Sequence, residues 1–515
     1  MTDLSLVERS LASGTVEEFA GRVERQAGRL REAIDDGQFD NPEFAVGLEM
    51  EIYAVSRPTG DGGRTDDRGS QLAPLPDSVF DGAVKGELGV HNAEITTEPD
   101  VLDGDGLAAQ AEAIREQFGR AQSEVRAVDR ELVLDATWTV PPAGGSYDYL
   151  AAIDRHDGLT VARNMRQDPR YVGIDNDVRR HADGSLTLSV PGYEGEYPTI
   201  LFESLATSIQ PHLQVPRAAE FPEYYNTAIR TLGPVLALST NSPFLPGDLY
   251  DVDDPEWLVA ATDHELRIAA FEQSVNYTPN AKVRVPADIE TATDVVDRVV
   301  ADDLFAPFLR EWLEDSERET LSERCWEFDH KRSTYWRWLR CVVGGDPVGS
   351  GDERSLRIEY RPIPTQPTIR DVVGMQALTV GLIRGLVAAD HPIADLPWEA
   401  AERSFYSAVE AGIDADLAWL TADGDRTKDR AAVFEEVFAY ARLGLREAGV
   451  PESDIERYLG PIEARWEART TPSTWKKERV SEALADGRPL AAAIEAMQRE
   501  YIRRSRESDT FADWL

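Results

Sequence analysis

Residues 44–55, FAVGLEMEIYAV, alternate so regularly that they leave the backbone few choices. Val46, Leu48, Met50 and Ile52 take turns with Gly47, Glu49, Glu51 and Tyr53, the period of two expected of a strand with one buried face. Glu49 and Glu51 then leave the same face, their Cα atoms about 7 Å apart. A strand with an apolar back and two acids in front suits an oxygen-ligand site for a hard cation such as Mg²⁺. Two acids on a solvated sheet face would give the same pattern, so the other strands must decide.

The net charge of −40 needs a reason of its own. Lys85, Lys282, Lys331, Lys428, Lys476 and Lys477 are the only lysines, and arginine supplies nearly all the positive charge. Acid excess with scarce lysine is the surface habit of proteins from very salty cytoplasm, where charges are screened within a few ångströms. The same charge excludes non-specific nucleic-acid binding, which needs a basic face. Disorder is excluded by 11 Trp, 16 Tyr and many periodic segments. Cys325 and Cys341 fit no CxxC motif and no disulfide framework, as expected in a reducing compartment. No apolar run reaches membrane-spanning length, and the first 25 residues lack a signal peptide's basic start and apolar core. The expectation is a cytoplasmic protein with no membrane partner.

In chain order, residues 4–35 read as one or two amphipathic helices and 57–67 as a Gly- and Asp-rich loop. In 87–99 (ELGVHNAEITTEP) Asn92, Glu94 and Thr96 share one strand face. A helix over 102–129 and a strand over 131–138 follow. The order strand, strand, helix, strand, without GxGxxG or GxxxxGK[ST], does not describe a doubly wound nucleotide fold. Residues 141–198 are too long for a plain loop and read as an insertion able to cover a site. In 205–215 (LATSIQPHLQV) Ser208, Gln210, His212 and Gln214 alternate with apolar residues, and Pro211 predicts an edge strand or a bulge. Residues 320–339 interleave Trp326, Trp336 and Trp338 with Arg324, Arg332 and Arg337, and Arg340 stands just beyond. Contact with a phosphate or nucleotide is a better use of these arginines than single-stranded nucleic acid. In 355–361 (SLRIEYR) Arg357, Glu359 and Arg361 share a face. The chain divides into an N-terminal helical segment (1–40), a main domain (41–420) and a C-terminal helical extension (421–515).

Four strand-like stretches thus each carry polar residues on one face. They supply Glu49, Glu51, Glu94, His212 and Glu359, with Gln210, Arg357 and Arg361 as companions. Converging, they would make a divalent-metal and phosphate site; not converging, they are scattered surface acids.

The succession GLEMEIYAV, HNAEITTEP, SIQPHLQV, LALSTNSPF, TYWRWLR and LRIEYRPIPTQPTIRD resembles the glutamate–cysteine ligase type 2 family of carboxylate–amine ligases, over about residues 44–419. The resemblance implies an α+β, glutamine-synthetase-like fold whose antiparallel sheet holds ATP and two or three Mg²⁺ (or Mn²⁺) ions on a concave face. It implies Glu49, Glu51, Glu94, His212 and Glu359 as metal ligands, Arg361 with Glu359 as the catalytic pair, and Gln210, Arg357, Arg361 and Arg337 as substrate or nucleotide contacts. Gln210 departs from the family, where many members have a histidine. The implied reaction joins the γ-carboxylate of glutamate to an amine, cysteine being the usual acceptor, through an acyl phosphate. Another amine, a phosphotransferase, or a non-catalytic binding protein on the same scaffold are the alternatives, and a homo-oligomer is compatible with all of them. One expectation needs no fold: with salt withdrawn, the unscreened −40 charge lowers the thermal unfolding midpoint relative to molar KCl. An unchanged midpoint in dilute buffer would contradict it.

Overall fold

The computed structural model describes residues 4–57, 70–80, 84–313 and 320–515. The expected loop over 57–67 lies outside the described residues except for Arg57. The first strand, β1 (Ala45–Ser56), is the spine of an eight-stranded sheet. Its 12 residues extend about 40 Å, enough to seat two short strands end to end along each edge. On one edge lie β4 (Asp100–Val101) and β3 (Asn92–Thr96), and β3 carries β2 (Val84–Gly86) outside it. The other edge takes β5 (Arg130–Val133) and β6 (Ile209–Val215), which is followed outward by β8 (Leu356–Tyr360) and β7 (Leu339–Val343). Every one of these pairings is antiparallel. The expected strand over 131–138 is shorter than predicted: its pairing with β1 ends at Val133, opposite Tyr53.

Pro211 does not put β6 at an edge. The strand lies between β1 and β8 with all seven residues buried, so the bulge, not the edge, is the outcome. Across β1, Pro211 faces Leu48 in an unbroken register. Across β8 the ladder runs from Val215 to His212, then resumes one residue out of step at Ser208 and Pro364. The slip falls where proline has no N–H to give.

Helices cover the apolar face. Val46, Leu48, Met50 and Ile52 are at most 1% exposed and belong to the same core as helices Gly104–Arg126, Phe221–Ser239 and Ile369–Ala388. Asp103 caps the first of these, accepting from Gly106 N at 2.8 Å. Contrary to the expectation that no apolar run reaches membrane-spanning length, Ile369–Ala388 has the length and composition of one, with most of it buried inside the protein. Helix Arg430–Glu447 crosses it at very short range: a Cβ on Gly385 would sit 1.9 Å from Tyr440 O, and one on Gly444 2.0 Å from Gly381 O. Only glycine permits that approach.

The extra C-terminal helices expected from the sequence are present. Arg430–Glu447 and Glu452–Glu467 share the core, whereas Pro472–Ala485 and Leu490–Glu507 form most of a second apolar cluster with Phe244, Leu258 and Val259. Two buried polar networks tie them in. Thr368 caps Ile369–Ala388, and Asp371 in its first turn pairs at 2.8 Å with Arg465, both side chains fully buried. Arg465 also donates to Gln366 Oε1 at 2.6 Å, and Phe511 N donates to Asp371 at 2.9 Å. At the far end of β1, Gln498 donates to the Tyr53 hydroxyl and to Asp135, which also accepts from Lys476. Arg465→Ala strands the Asp371 carboxylate without its ion pair and is expected to cost about 3–5 kcal/mol, read as a lower denaturant midpoint. A loss below about 1 kcal/mol would show that the pair adds nothing.

Candidate active site

In an antiparallel ladder, directly opposed residues point to one face. Glu51 faces Glu94 on β3, and Glu49 faces Thr96 on β3 and Gln210 on β6. Gly47 faces His212, which faces Glu359 on β8, which faces Arg340 on β7. One face thus collects acidic and basic side chains from five strands. The slip beside Pro211 leaves this set intact, because His212 and Glu359 lie on the regular side of it.

A hydrogen-bonded chain runs across these strands. Ser208 N and Oγ donate to Glu51 Oε2 at 2.6 and 3.0 Å, and Gln210 Nε2 donates to Glu51 Oε1 at 3.2 Å. Gln210 Oε1 in turn accepts from Arg361 at 2.6 Å. Arg361 also pairs with Glu359, to which Arg340 Nε donates at 2.8 Å. The neutral amide of Gln210 therefore links an acid to a base. It can do both at once because one end donates and the other accepts.

Of the predicted residues, Glu49, Glu51, Glu94, Gln210 and Arg361 line one cleft. His212 lies beside it, 7% exposed, with Nε2 3.5 Å from Glu49 Oε1 and neither ring nitrogen hydrogen-bonded among the described residues. Glu359 is 1% exposed and does not line the cleft, because Arg340 and Arg361 occupy its carboxylate. Arg357 turns away and donates to Gly344 O at 2.9 Å. Arg337 is not brought to the cleft at all: it is buried against Asp302 and the Lys282 carbonyl. Residue 337 precedes β7, and its side chain leaves the side of the chain opposite to Trp336, which does line the cleft.

Of four further charged groups in the cleft wall, sequence reasoning missed three and reached the fourth, Arg340, only as part of the basic cluster suited to phosphate. Glu87 precedes β3, Glu203 sits in the short helix Ile200–Leu205, Arg170 comes from helix Pro169–His181 of the insertion, and Arg340 comes from β7. The insertion is two hairpins and two helices, and Arg170, Tyr171 and Ile174 bring it over the sheet. Only Arg340 had a readable signal, as the basic residue at the end of the aromatic cluster. Single acids in irregular segments leave no period to detect.

Acids outnumber bases here, and proton affinities follow. Burial, then Glu49, Glu87 and Glu51, push the Glu94 carboxyl well above its ordinary value. Burial and Glu51 raise Glu87 to about 7, and burial with Glu51 and Glu87 raises Glu203 to about 8. Burial also raises Glu51, against the pull of Arg361, Arg267 and Ser208. Two carboxyls go the other way. Burial disfavours charge on Glu359, but Arg340 and Arg361 outweigh it and hold the group well below the usual range; burial opposes charge on Glu49 too, and His212 outweighs it and lowers the group. Burial lowers Arg340 to about 10. The face is short of positive charge around Glu51, Glu94, Glu87 and Glu203.

Among the described residues no ready-made cluster of three or more His, Cys, Asp or Glu ligands is formed. Mg²⁺ does not demand one: it keeps several waters and takes one or two carboxylates together with substrate phosphates. Crowded, half-buried carboxylates on adjacent strands fit such an ion in donor type and in charge.

The model of glutamate–cysteine ligase family 2 matches residues 45–508, from the first residue of β1 to just past the last long helix. A search of curated proteins finds no match. A bifunctional glutathione synthetase from Pasteurella multocida is similar in fold, with 12% identity and a TM-score of 0.50 over 94% of this chain and 54% of that one. The glutamate–cysteine ligase of Francisella tularensis, solved in complex with AMP, aligns over 92% of this chain and 90% of its own at 12% identity and a TM-score of 0.48. The family match takes in the strands that line the cleft and the helices behind them: the chain belongs to glutamate–cysteine ligase family 2, and so to the ATP-dependent carboxylate–amine ligases.

Proposed function

We propose that the protein joins the γ-carboxylate of glutamate to the amine of cysteine, with ATP as co-substrate and Mg²⁺ in the cleft. One observation carries this reading. The strand register sets acids for cations and arginines for anions side by side on a single face.

A carboxylate is a poor acyl donor, so its oxygen first takes the γ-phosphoryl group of ATP and ADP leaves. The amine nitrogen then attacks the acyl carbon, phosphate departs, and the amine gives up a proton. Little covalent work falls to the protein; positioning and charge do the rest. Arg361 and Arg340, both held by Glu359, are placed to grip phosphoryl or carboxylate oxygens with paired N–H donors. Glu359 sets where those guanidinium groups point, and Gln210 sets Arg361 against Glu51. Glu49, Glu51 and Glu94 would hold Mg²⁺, with His212 beside them; the ion would supply positive charge to phosphate oxygens. Helix Pro169–His181 covers the cleft from the insertion and limits the water that reaches it.

The direct measurement is ADP release at high KCl with Mg²⁺, glutamate and a panel of amines, cysteine first. Cysteine is expected to stimulate release in the presence of glutamate; no stimulation by any amine with any carboxylate would end the ligase reading. Stimulation by a different amine would correct the acceptor alone.

Two variants separate the roles. Glu51→Gln removes charge from the cleft and is expected to lower turnover at least about a hundredfold, and a near-normal rate would remove Glu51 from the site. Glu359→Gln loosens both arginines and is expected to act on phosphoryl transfer to a similar extent, about a hundredfold. If it raises KM for glutamate while leaving turnover alone, Glu359 acts on binding only.

A further inference from the structure

Arg337 stands in a second groove of about 450 Å³, on the other side of the segment that walls the cleft. Arg284, Arg298 and Arg337 line it, with Trp398 on its rim. Arg337 is 3% exposed, fixed by Asp302 at 2.8 Å and by the Lys282 carbonyl, and Lys282 shares the same Asp302 carboxylate. Arg298 donates to the carbonyls of Ala287 and Asp288, with no salt-bridging carboxylate among the described residues. Arg284 is exposed, and among the described residues no hydrogen bond or ion pair holds its guanidinium. Three arginines thus line the groove against Asp302 and Glu402, with Lys282 buried behind Asp302, a small local excess of positive charge in a chain of net −40. Guanidinium groups without a carboxylate partner, at the mouth of a cavity, attract anions.

The groove also shares its wall with the cleft. Ser333, Trp336 and Arg340 face the cleft, whereas Tyr335 and Arg337 face the groove. Trp338 N donates to Arg284 O at 3.0 Å, which fastens this segment to the loop that carries the free arginine.

We propose that this groove is a second binding site, for a small anion bearing carboxylate or phosphate groups, and that its occupant steadies residues 333–340 and through them the wall of the cleft. Arg284 and Arg298 contact the anion, and Arg337 lends its charge from beneath. The site is independent of the ligase reading, since none of its arginines lines the cleft.

The full-length chain is titrated calorimetrically with citrate and, separately, with inorganic phosphate, and the double variant Arg284→Ala/Arg298→Ala is run beside it. Saturable binding is expected to weaken at least about tenfold in the double variant, and to weaken also in Arg284→Ala alone, whose thermal midpoint stays unchanged because that guanidinium holds no hydrogen bond among the described residues. Binding of citrate alone identifies a carboxylate ligand, and of phosphate alone a phosphorylated one. Failure of both probes to bind the parent chain, or equal affinity in the double variant, overturns the site. Hydrogen exchange of the amides at 333–340 is expected to slow with the bound probe in the parent chain only. Unchanged exchange there overturns the transmission to the cleft.

Discussion

The pairing of β1 along both of its edges is the constraint on which the rest of the molecule depends. A strand has a side-chain period of two, so a slip of one residue would turn Glu49 and Glu51 into the core and bring Leu48 and Met50 to the front. Burial of Val46, Leu48, Met50 and Ile52 forbids that slip. With β1 held, Glu94, Gln210 and His212 take their places opposite its odd-numbered residues, and Glu359 and Arg340 follow from His212. The site is a consequence of hydrophobic burial on the opposite face of the same sheet.

Charge is distributed unevenly over that face. On the β7 and β8 side, Glu359 is outnumbered by Arg340 and Arg361 and stays ionised. Toward β2 and β3, Glu51, Glu87, Glu94 and Glu203 crowd together and resist ionisation. The acidic half has the character of a cation site and the basic half that of an anion site. Gln210 sits at the seam, bonded to an acid on one side and an arginine on the other.

The C-terminal helices belong to this arrangement. Lys476 and Gln498 converge on Asp135, and Gln498 reaches the Tyr53 hydroxyl on the same face of β1 as Glu49 and Glu51. Such a network, fully satisfied and buried, holds the end of the site-bearing strand in one position. The family match, which runs to residue 508, covers these helices as well.

Much of this was legible in one dimension. Alternation identified β1, β3, β6 and β8, and with them Glu49, Glu51, Glu94, Gln210 and Arg361, because a strand with one buried face must repeat every second residue. The helices over 4–35 and 102–129 were equally plain, but nothing local marked how deep Ile369–Ala388 lies in the core, since a buried helix and a membrane span share length and composition. Pro211 marked an irregularity whose kind depended on β8, a strand nearly 150 positions away in the chain. Arg337 was misplaced because it lies in an extended turn where neighbouring side chains part to opposite cavities. By itself, then, the sequence determined which faces are polar, for period and burial are local properties. Only the tertiary structure decided which of those faces meet, that Glu359 serves two arginines, and that Glu87, Glu203 and Arg170 join the cleft, because contacts between distant segments depend on register and packing that no local period records.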